Sequence, residues 1–257
     1  MHLFLLQMAG FDWEFIQKSM RQMPPSAVVV LPEYVLTPFF LELLNLTPEK
    51  IDSYSQARLE QLQTLSLKHQ ITISAPLVLL KEQKLFKQIA LISPQDTQFY
   101  HQQRLVHFEH WAEAQFFANP QPAGFKIPPT LDIEGIKIAP LFGYEMHFDG
   151  LWMALQEAGV EVVLMSTAST FESFERWRCI LRARAFCNSM LVARANRIGM
   201  VRENQNVPWR FYGDSLIALP NGNIASSLEG DLGVLHLEVQ KAYLQAWAKE
   251  WGFRSQN

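Results

Sequence analysis

The chain has 257 residues, 49% of them hydrophobic, and a formal net charge of −3. That is enough apolar material for one substantial core, and large α/β domains of this length run undivided, so a single domain over residues 1–257 is expected. The positive charges are scattered with no basic stripe to neutralise phosphates, which argues against a nucleic-acid partner. No apolar run approaches the roughly 20 residues that a membrane helix needs. The apolar residues 1–9 lack a basic leader and are too short for a signal core, so they read as a buried strand of a cytoplasmic protein with no membrane partner. Cys179 and Cys187 lie eight residues apart in one predicted helix, about 12 Å along its axis. That is too far for a disulfide and suits a reducing compartment.

In chain order, residues 1–9 read as strand and 12–23 as a short helix with Asp12 near its cap and Phe15, Ile16 and Met20 on one face. Residues 27–33, Ala-Val-Val-Val-Leu-Pro-Glu, have the β-branched run of a strand buried on both faces. Pro32 cannot extend the ladder, so the carboxylate of Glu33 is placed at a strand end. A long amphipathic helix is predicted within 47–69, started by Thr47, Pro48 and Glu49, with Leu59, Leu62, Leu65 and Leu67 as its apolar side. Residues 71–80 and 85–93 read as antiparallel neighbours around a turn, and 96–103 as a further strand. Residues 105–117 are aromatic and helix-compatible, and the proline-rich 119–129 is a loop. Strands at 131–133 and 136–142 lead into a strand-to-helix turn at Gly143, followed by a helix at 151–158 and a buried strand at 160–166. A helix at 171–188, a strand at 189–196, strands at 211–219 and 233–239, and a helix at 240–251 complete the chain. Strands and helices alternate throughout, so the class is α/β.

Sites in α/β proteins gather at strand ends such as the turn at Gly143. Residues 142–150, Phe-Gly-Tyr-Glu-Met-His-Phe-Asp-Gly, resemble the nucleophile turn of the nitrilase superfamily, the carbon-nitrogen hydrolases, which reads roughly Ile-Cys-Tyr-Asp-x-Arg-Phe-Pro-Glu. Further pieces fall in the family's order. Leu31-Pro32-Glu33 resembles its Pro-Glu general base, and Tyr100 to Leu105 its Tyr-Arg-Lys-x-His-Leu. The run from Arg182 to Asn188, then Asn196-Arg197-Ile198-Gly199, resembles Arg-Ala-x-Glu-Asn and Asn-Arg-x-Gly. Gly213-Asp214-Ser215 and Pro220-Asn221-Gly222 are similar to Gly-x-Ser and Pro-x-Gly.

The resemblance implies a four-layer α-β-β-α sandwich that forms a homodimer or higher homo-oligomer. It also implies chemistry at amide or nitrile carbons by Cys, Glu and Lys, supported by a second Glu. Here the triad positions read Glu33, Gln102 and Gly143, and the second Glu falls on Glu113, with Glu109 as the weaker choice. Tyr144, Glu145 and His147 are the binding candidates on the turn, and Arg104 is a candidate replacement cation. Glycine offers no nucleophile, and the resemblance puts Cys179 and Cys187 on a helix remote from the turn. Losing a nucleophile from a working triad costs on the order of 10⁶ in rate, and losing one oxyanion donor about 10² to 10³.

Three readings follow: a binding or scaffold protein for a small amide, nitrile, amine or carboxylate; a hydrolase in which Glu33 activates water; or a structural subunit whose cleft is filled by Trp111 or Met146. No cofactor is implied, since no glycine-rich phosphate loop follows a strand. His107 and His110 sit beside Phe108 and Trp111 without metal-ligand spacing, which favours an aromatic cleft over a metal.

Overall fold

The computed structural model describes residues 1–201 and 208–252. The first half builds β1 (His2–Gln7), α1 (Trp13–Met20), β2 (Val28–Val30), α2 (Phe40–Leu43), α3 (Pro48–His69), β3 (Thr72–Lys81), β4 (Lys84–Ile92), β5 (Thr97–His101) and α4 (Glu113–Phe116). The second half builds β6 (Leu131–Ile133), β7 (Ile136–Phe142), α5 (Asp149–Glu157), β8 (Val162–Thr167), α6 (Phe174–Cys187) and β9 (Leu191–Asn196). After it come β10 (Ile198–Val201), β11 (Trp209–Tyr212), β12 (Leu216–Ala218), β13 (Ile224–Ser227), β14 (Gly233–Glu238) and α7 (Lys241–Trp251). One sheet runs β14-β1-β2-β3-β4-β5, the other β13-β12-β9-β8-β7-β6, and among the described residues β10 and β11 form a separate two-stranded pair.

Burial follows the alternation of side chains across each strand. Val28 and Val30 of β2 face the second sheet with Leu3, Leu5, Ile138, Val162 and Leu164, while Val29 and Leu31 face α1 and α3 with Ile16, Met20, Leu59 and Leu62. The far side of the second sheet buries Leu141, Met165 and Val192 against α5 and α6 through Leu155, Leu181 and Ala185. The result is four layers, α-β-β-α. Asp12 caps α1 by accepting from Phe15 N–H at 2.9 Å, and Thr47 caps α3 by accepting from Lys50 N–H.

The fold corrects four expectations. Within 105–117 only Glu113–Phe116 is helical, because Phe108 and Trp111 instead close a tight turn by reciprocal backbone hydrogen bonds at 3.1 Å. The expected strand at 211–219 is two strands in different sheets, broken where Gly213 and Asp214 take positive φ values of 75° and 63°. A side chain on Gly213 would lie 2.6 Å from the Glu229 carbonyl, so this glycine answers both to its dihedral and to a close approach. Leu67 is 60% exposed, since the buried face of α3 runs through Ile51, Ser55, Leu59, Leu62 and Ser66, out of phase with it. Short β10, β13 and α2 have no counterpart in the sequence reading.

The two sheets are stitched together where β2 and β8 end. Glu33 N–H donates to the Thr167 carbonyl at 3.2 Å, and the Ser166 hydroxyl donates to the Leu31 carbonyl at 2.8 Å. Ser166→Ala should therefore cost about 1 kcal/mol. The midpoint of thermal unfolding should fall by about 2–4 °C, which differential scanning calorimetry would read; an unchanged midpoint would mean the stitch carries no net energy.

Candidate functional site

Three charges meet at the carboxyl ends of these strands. Glu33 follows the buried β2, where Pro32 ends the ladder, and its carboxylate is 6% exposed at the floor of a cavity of about 650 Å³. Glu113 opens α4 and is fully buried. Between them stands Lys87 of β4, 2% exposed, whose ammonium donates to Glu33 and, at 2.5 Å, to Glu113. Glu113 also accepts from the Tyr34 hydroxyl, from Trp111 Nε1–H at 2.9 Å and from Val106 N–H at 3.2 Å. A buried carboxylate needs this many donors to offset its lost hydration.

Desolvation, opposed by Lys87 and aided by the nearby Glu113 charge, raises the Glu33 pKa from 4.5 to about 7. For Lys87 burial pulls downward, but Glu113 and Glu33 together outweigh it and the net shift is upward. Burial and then the charges of Glu113 and Glu33 push the Tyr34 phenol well up, so Tyr34 stays a donor.

On the other side of the cavity floor is Gly143. Its φ lies outside the left-handed region, so glycine is not required here for backbone conformation. Space is what it provides. A Cβ at Gly143 would stand 2.4 Å from Thr167 Cγ2, 3.2 Å from Thr167 Cβ and 3.2 Å from Trp177 Cη2.

Thr167 is aimed there by its hydroxyl. Oγ1 accepts from Arg194 Nε–H at 3.1 Å and donates towards Asn196 Oδ1 at 2.7 Å, with the Ala195 carbonyl also near at 3.1 Å. Asn196 is fixed in turn by donating to the Gly213 carbonyl from its side chain and to Ser215 Oγ from its backbone, at 2.9 Å in the second case. The short Asn-Arg-x-Gly and Gly-x-Ser signals of the sequence thus act as the buttress that turns the Thr167 methyl toward Gly143.

The cavity walls carry the aromatic rings of Phe108, Trp111, Tyr144, Phe171 and Trp177 among polar and charged residues that include Glu33, Ser169 and Arg176. Tyr144 and His147 line it, and His147 Nδ1 lies 2.9 Å from the Tyr144 carbonyl. The cleft is not filled by Trp111, which stands in its wall, nor by Met146, which is buried in the core beneath α5 and α6.

Other expected site residues stand elsewhere. Glu145 is fully buried behind the turn, accepting from Tyr100 OH at 2.8 Å, Gln103 N–H at 2.6 Å and Phe142 N–H at 3.3 Å, so it braces the turn and does not face the cavity. Desolvation, partly offset by those donors, raises its pKa to about 7. Gln102 is buried with its amide donating to the Arg104 carbonyl at 2.7 Å and its Oε1 unpartnered, and it does not line the cavity.

Arg104 lies over the Phe125 ring and donates to the Gln103 and Gly124 carbonyls, away from Glu33. Glu109 lines a separate surface groove with His110. The helix bearing Cys179 and Cys187 is not remote, since Trp177 and Ile180 of α6 line the cavity, but both thiols are exposed on its outer side.

Lys87 was missed by sequence reading. The signal that marks it is the alternation Leu85, Lys87, Ile89, Leu91 along β4, which puts a lysine on a strand face otherwise given to buried apolar residues.

Overpacking predicts that Gly143→Ala destabilises by about 1–3 kcal/mol. Thr167→Ser, which keeps the hydroxyl and removes the methyl, should recover most of that loss in the double variant. Denaturant titration measures both, and no recovery would mean Trp177 rather than Thr167 limits the space. A second expectation concerns pH. Glu33 holds its proton more tightly folded than unfolded, so the stability it contributes is present below 4.5 and lost as pH rises through about 7. Between pH 5 and 8 the unfolding midpoint of Glu33→Gln should therefore fall a few degrees less than that of the parent; parallel curves would contradict this.

The chain matches the carbon-nitrogen hydrolase family over residues 13–249. It is 24% identical to a 2-oxoglutaramate amidase of Bacillus subtilis over 226 residues, covering 88% of this chain and 81% of the relative. Among solved structures, a carbon-nitrogen hydrolase of Helicobacter pylori G27 superposes with a TM-score of 0.84 at 15% identity, covering 100% of this chain and 95% of that one. A CN-hydrolase superfamily protein of Xanthomonas campestris with an arsenic adduct in its active site superposes at 0.81 with 19% identity, covering 100% and 96%. Those structural likenesses carry the fold, and the match along nearly the whole chain carries the family: this chain belongs to the carbon-nitrogen hydrolases of the nitrilase superfamily.

Proposed function

We propose that the cavity binds a small ligand bearing an amide, nitrile, amine or carboxylate, and that the chain does not carry out thiol-based acyl transfer. The observation behind this reading is the Thr167 methyl standing where a side chain on residue 143 would begin. Nucleophilic catalysis at this turn needs an atom that attacks, and the space for it is taken. What is left suits binding. Aromatic walls offer a large apolar contact area, and Glu33 offers an acceptor at the cavity floor that takes a hydrogen bond from an amide N–H or an ammonium. An amidase among the relatives supports amides as the first class to try.

One observation favours a second reading, hydrolysis by a water that Glu33 activates directly. A carboxylate whose pKa is raised to about 7 at a cavity floor is well matched to general-base work at neutral pH. The two readings part on a single substitution. In a panel of amides and nitriles, the unmodified protein should release no ammonia, while calorimetric titration with the same compounds should find a binder. Turnover by the unmodified protein that disappears in Glu33→Gln would establish the water mechanism instead. Failure of every compound to bind would sink the ligand reading.

The scaffold side of this function rests on the homodimer that the resemblance implies. Large apolar side chains exposed on α7, Tyr243 at 60% and Trp251 at 54%, support self-association. Sedimentation at micromolar concentration should give a dimer or larger, and a monomer would remove this part of the proposal.

A further inference from the structure

The position where a lysine is expected from the resemblance, Gln102, has no charge, yet the two carboxylates are not left without a cation. The register of the first sheet shows why. β4 and β5 run antiparallel with Gln88 opposite His101, so the next pair brings Lys87 beside Gln102, whose N–H donates to the Lys87 carbonyl at 3.2 Å. Asn119 clamps the two positions together. Its Oδ1 accepts from Lys87 N–H at 2.8 Å, and its Nδ2 donates to the carbonyls of Lys87 at 2.6 Å and Gln102 at 2.9 Å.

From that neighbouring strand the Lys87 ammonium reaches both Glu33 and Glu113, with the rings of Tyr34 and Phe142 at 4.5 and 5.1 Å. Gln102, by contrast, keeps a buried Oε1 with no partner among the described residues.

We infer that Lys87 is the positioning lysine of this site: the cation has moved one strand over, from the Gln102 position to β4, and from there it holds Glu33 against Glu113 with its carboxylate at the cavity floor. The carboxylate half of the site is thereby complete, and the chain lacks only the group at residue 143. The inference builds on the reading of this cavity as the ligand site, but its test needs no ligand, so a failed binding screen leaves it standing.

Other groups bear on Glu33 besides Lys87. Glu113 of α4 and the Tyr34 phenol face it, the Ala168 N–H bonds it, and His147, Glu172 and Arg176 share the cavity towards its mouth. None of these changes in the variants below, which isolates the lysine.

The experiment is a carboxyl ¹³C NMR titration of the full chain with labelled glutamate, the Glu33 resonance being assigned by its loss in Glu33→Gln. Four proteins are compared: the parent, Lys87→Gln, Gln102→Lys, and the double variant Lys87→Gln with Gln102→Lys. Removing an adjacent cation moves a carboxylate by about 1 to 3 units. The Glu33 midpoint should accordingly rise by that much in Lys87→Gln and return to near the parent value in the double variant, because the new lysine restores the cation from the adjacent strand.

A merely structural Lys87 would lower the unfolding temperature without this exchange. If Lys87→Gln does not fold, the double variant carries the test: a folded protein with a parent-like Glu33 midpoint supports the inference. An unfolded double variant, a midpoint left at the Lys87→Gln value, or an unchanged midpoint in a folded Lys87→Gln would overturn it.

Discussion

The site depends on one ammonium placed between two carboxylates. Glu33, Lys87 and Glu113 are all withdrawn from water, and two carboxylates side by side could not both stay charged there without a cation between them. Desolvation is expensive enough that the surroundings have to supply donors wherever an oxygen remains. Tyr34, Trp111 and the backbone of Val106 do this for Glu113, and Ala168 N–H does it for Glu33. Those donors fix three pieces of chain: the segment after β2, residues 106–111, and the residue after β8. A network in which every member is satisfied is rigid, and the cavity inherits that rigidity.

A second buried network, built from neighbours of a different kind, governs the other half of the floor. Arg194 is fully buried, over the Trp177 ring and within 3.5 Å of Asp214, and it grips the Thr167 hydroxyl. A β-branched side chain has few rotamers to choose from, so fixing its hydroxyl fixes its methyl too. The methyl then lies where a residue larger than glycine would begin at position 143. The two networks meet on one stretch of backbone, since the Thr167 carbonyl accepts from both Glu33 and Arg197 N–H.

Much of this was legible in the sequence. The β-branched run before Pro32 places Glu33 at a strand end because a proline cannot continue a ladder, and the apolar run before Gly143 places the turn in the same way. The four-layer fold and Glu113 came from the resemblance rather than from any local pattern. What stayed hidden has physical reasons. Lys87 was read only as part of a strand, because period-2 reasoning looks for apolar faces and a charge on such a face passes as an exposed interruption. Glu145 looked like a site residue because it lies on the turn, yet the Phe142 N–H entering the turn and the Gln103 N–H after β5 both need an acceptor, and its carboxylate meets that need. Residues 107–112 looked helical by their bulk, but the aromatic rings there pack into the cavity wall and the backbone closes a turn to allow it.

The contrast between three buried charges and a glycine at residue 143 has an energetic basis in this molecule. Taking Lys87 away would leave two buried carboxylates facing each other, and breaking a buried ion pair from one side costs about 3–5 kcal/mol. Nothing comparable protects a side chain at residue 143. Glycine there leaves a void of only a few atoms, and the Thr167 methyl already fills it, so the floor has no cavity to penalise the exchange. The ion cluster is therefore held in place by the stability of the fold itself, whether or not any reaction uses it, while glycine at residue 143 is held by the close approach of Thr167 and Trp177. The presence of Glu33, Lys87 and Glu113 is for that reason weak evidence of catalysis, and the proposal of a bound ligand rests instead on the cavity above them.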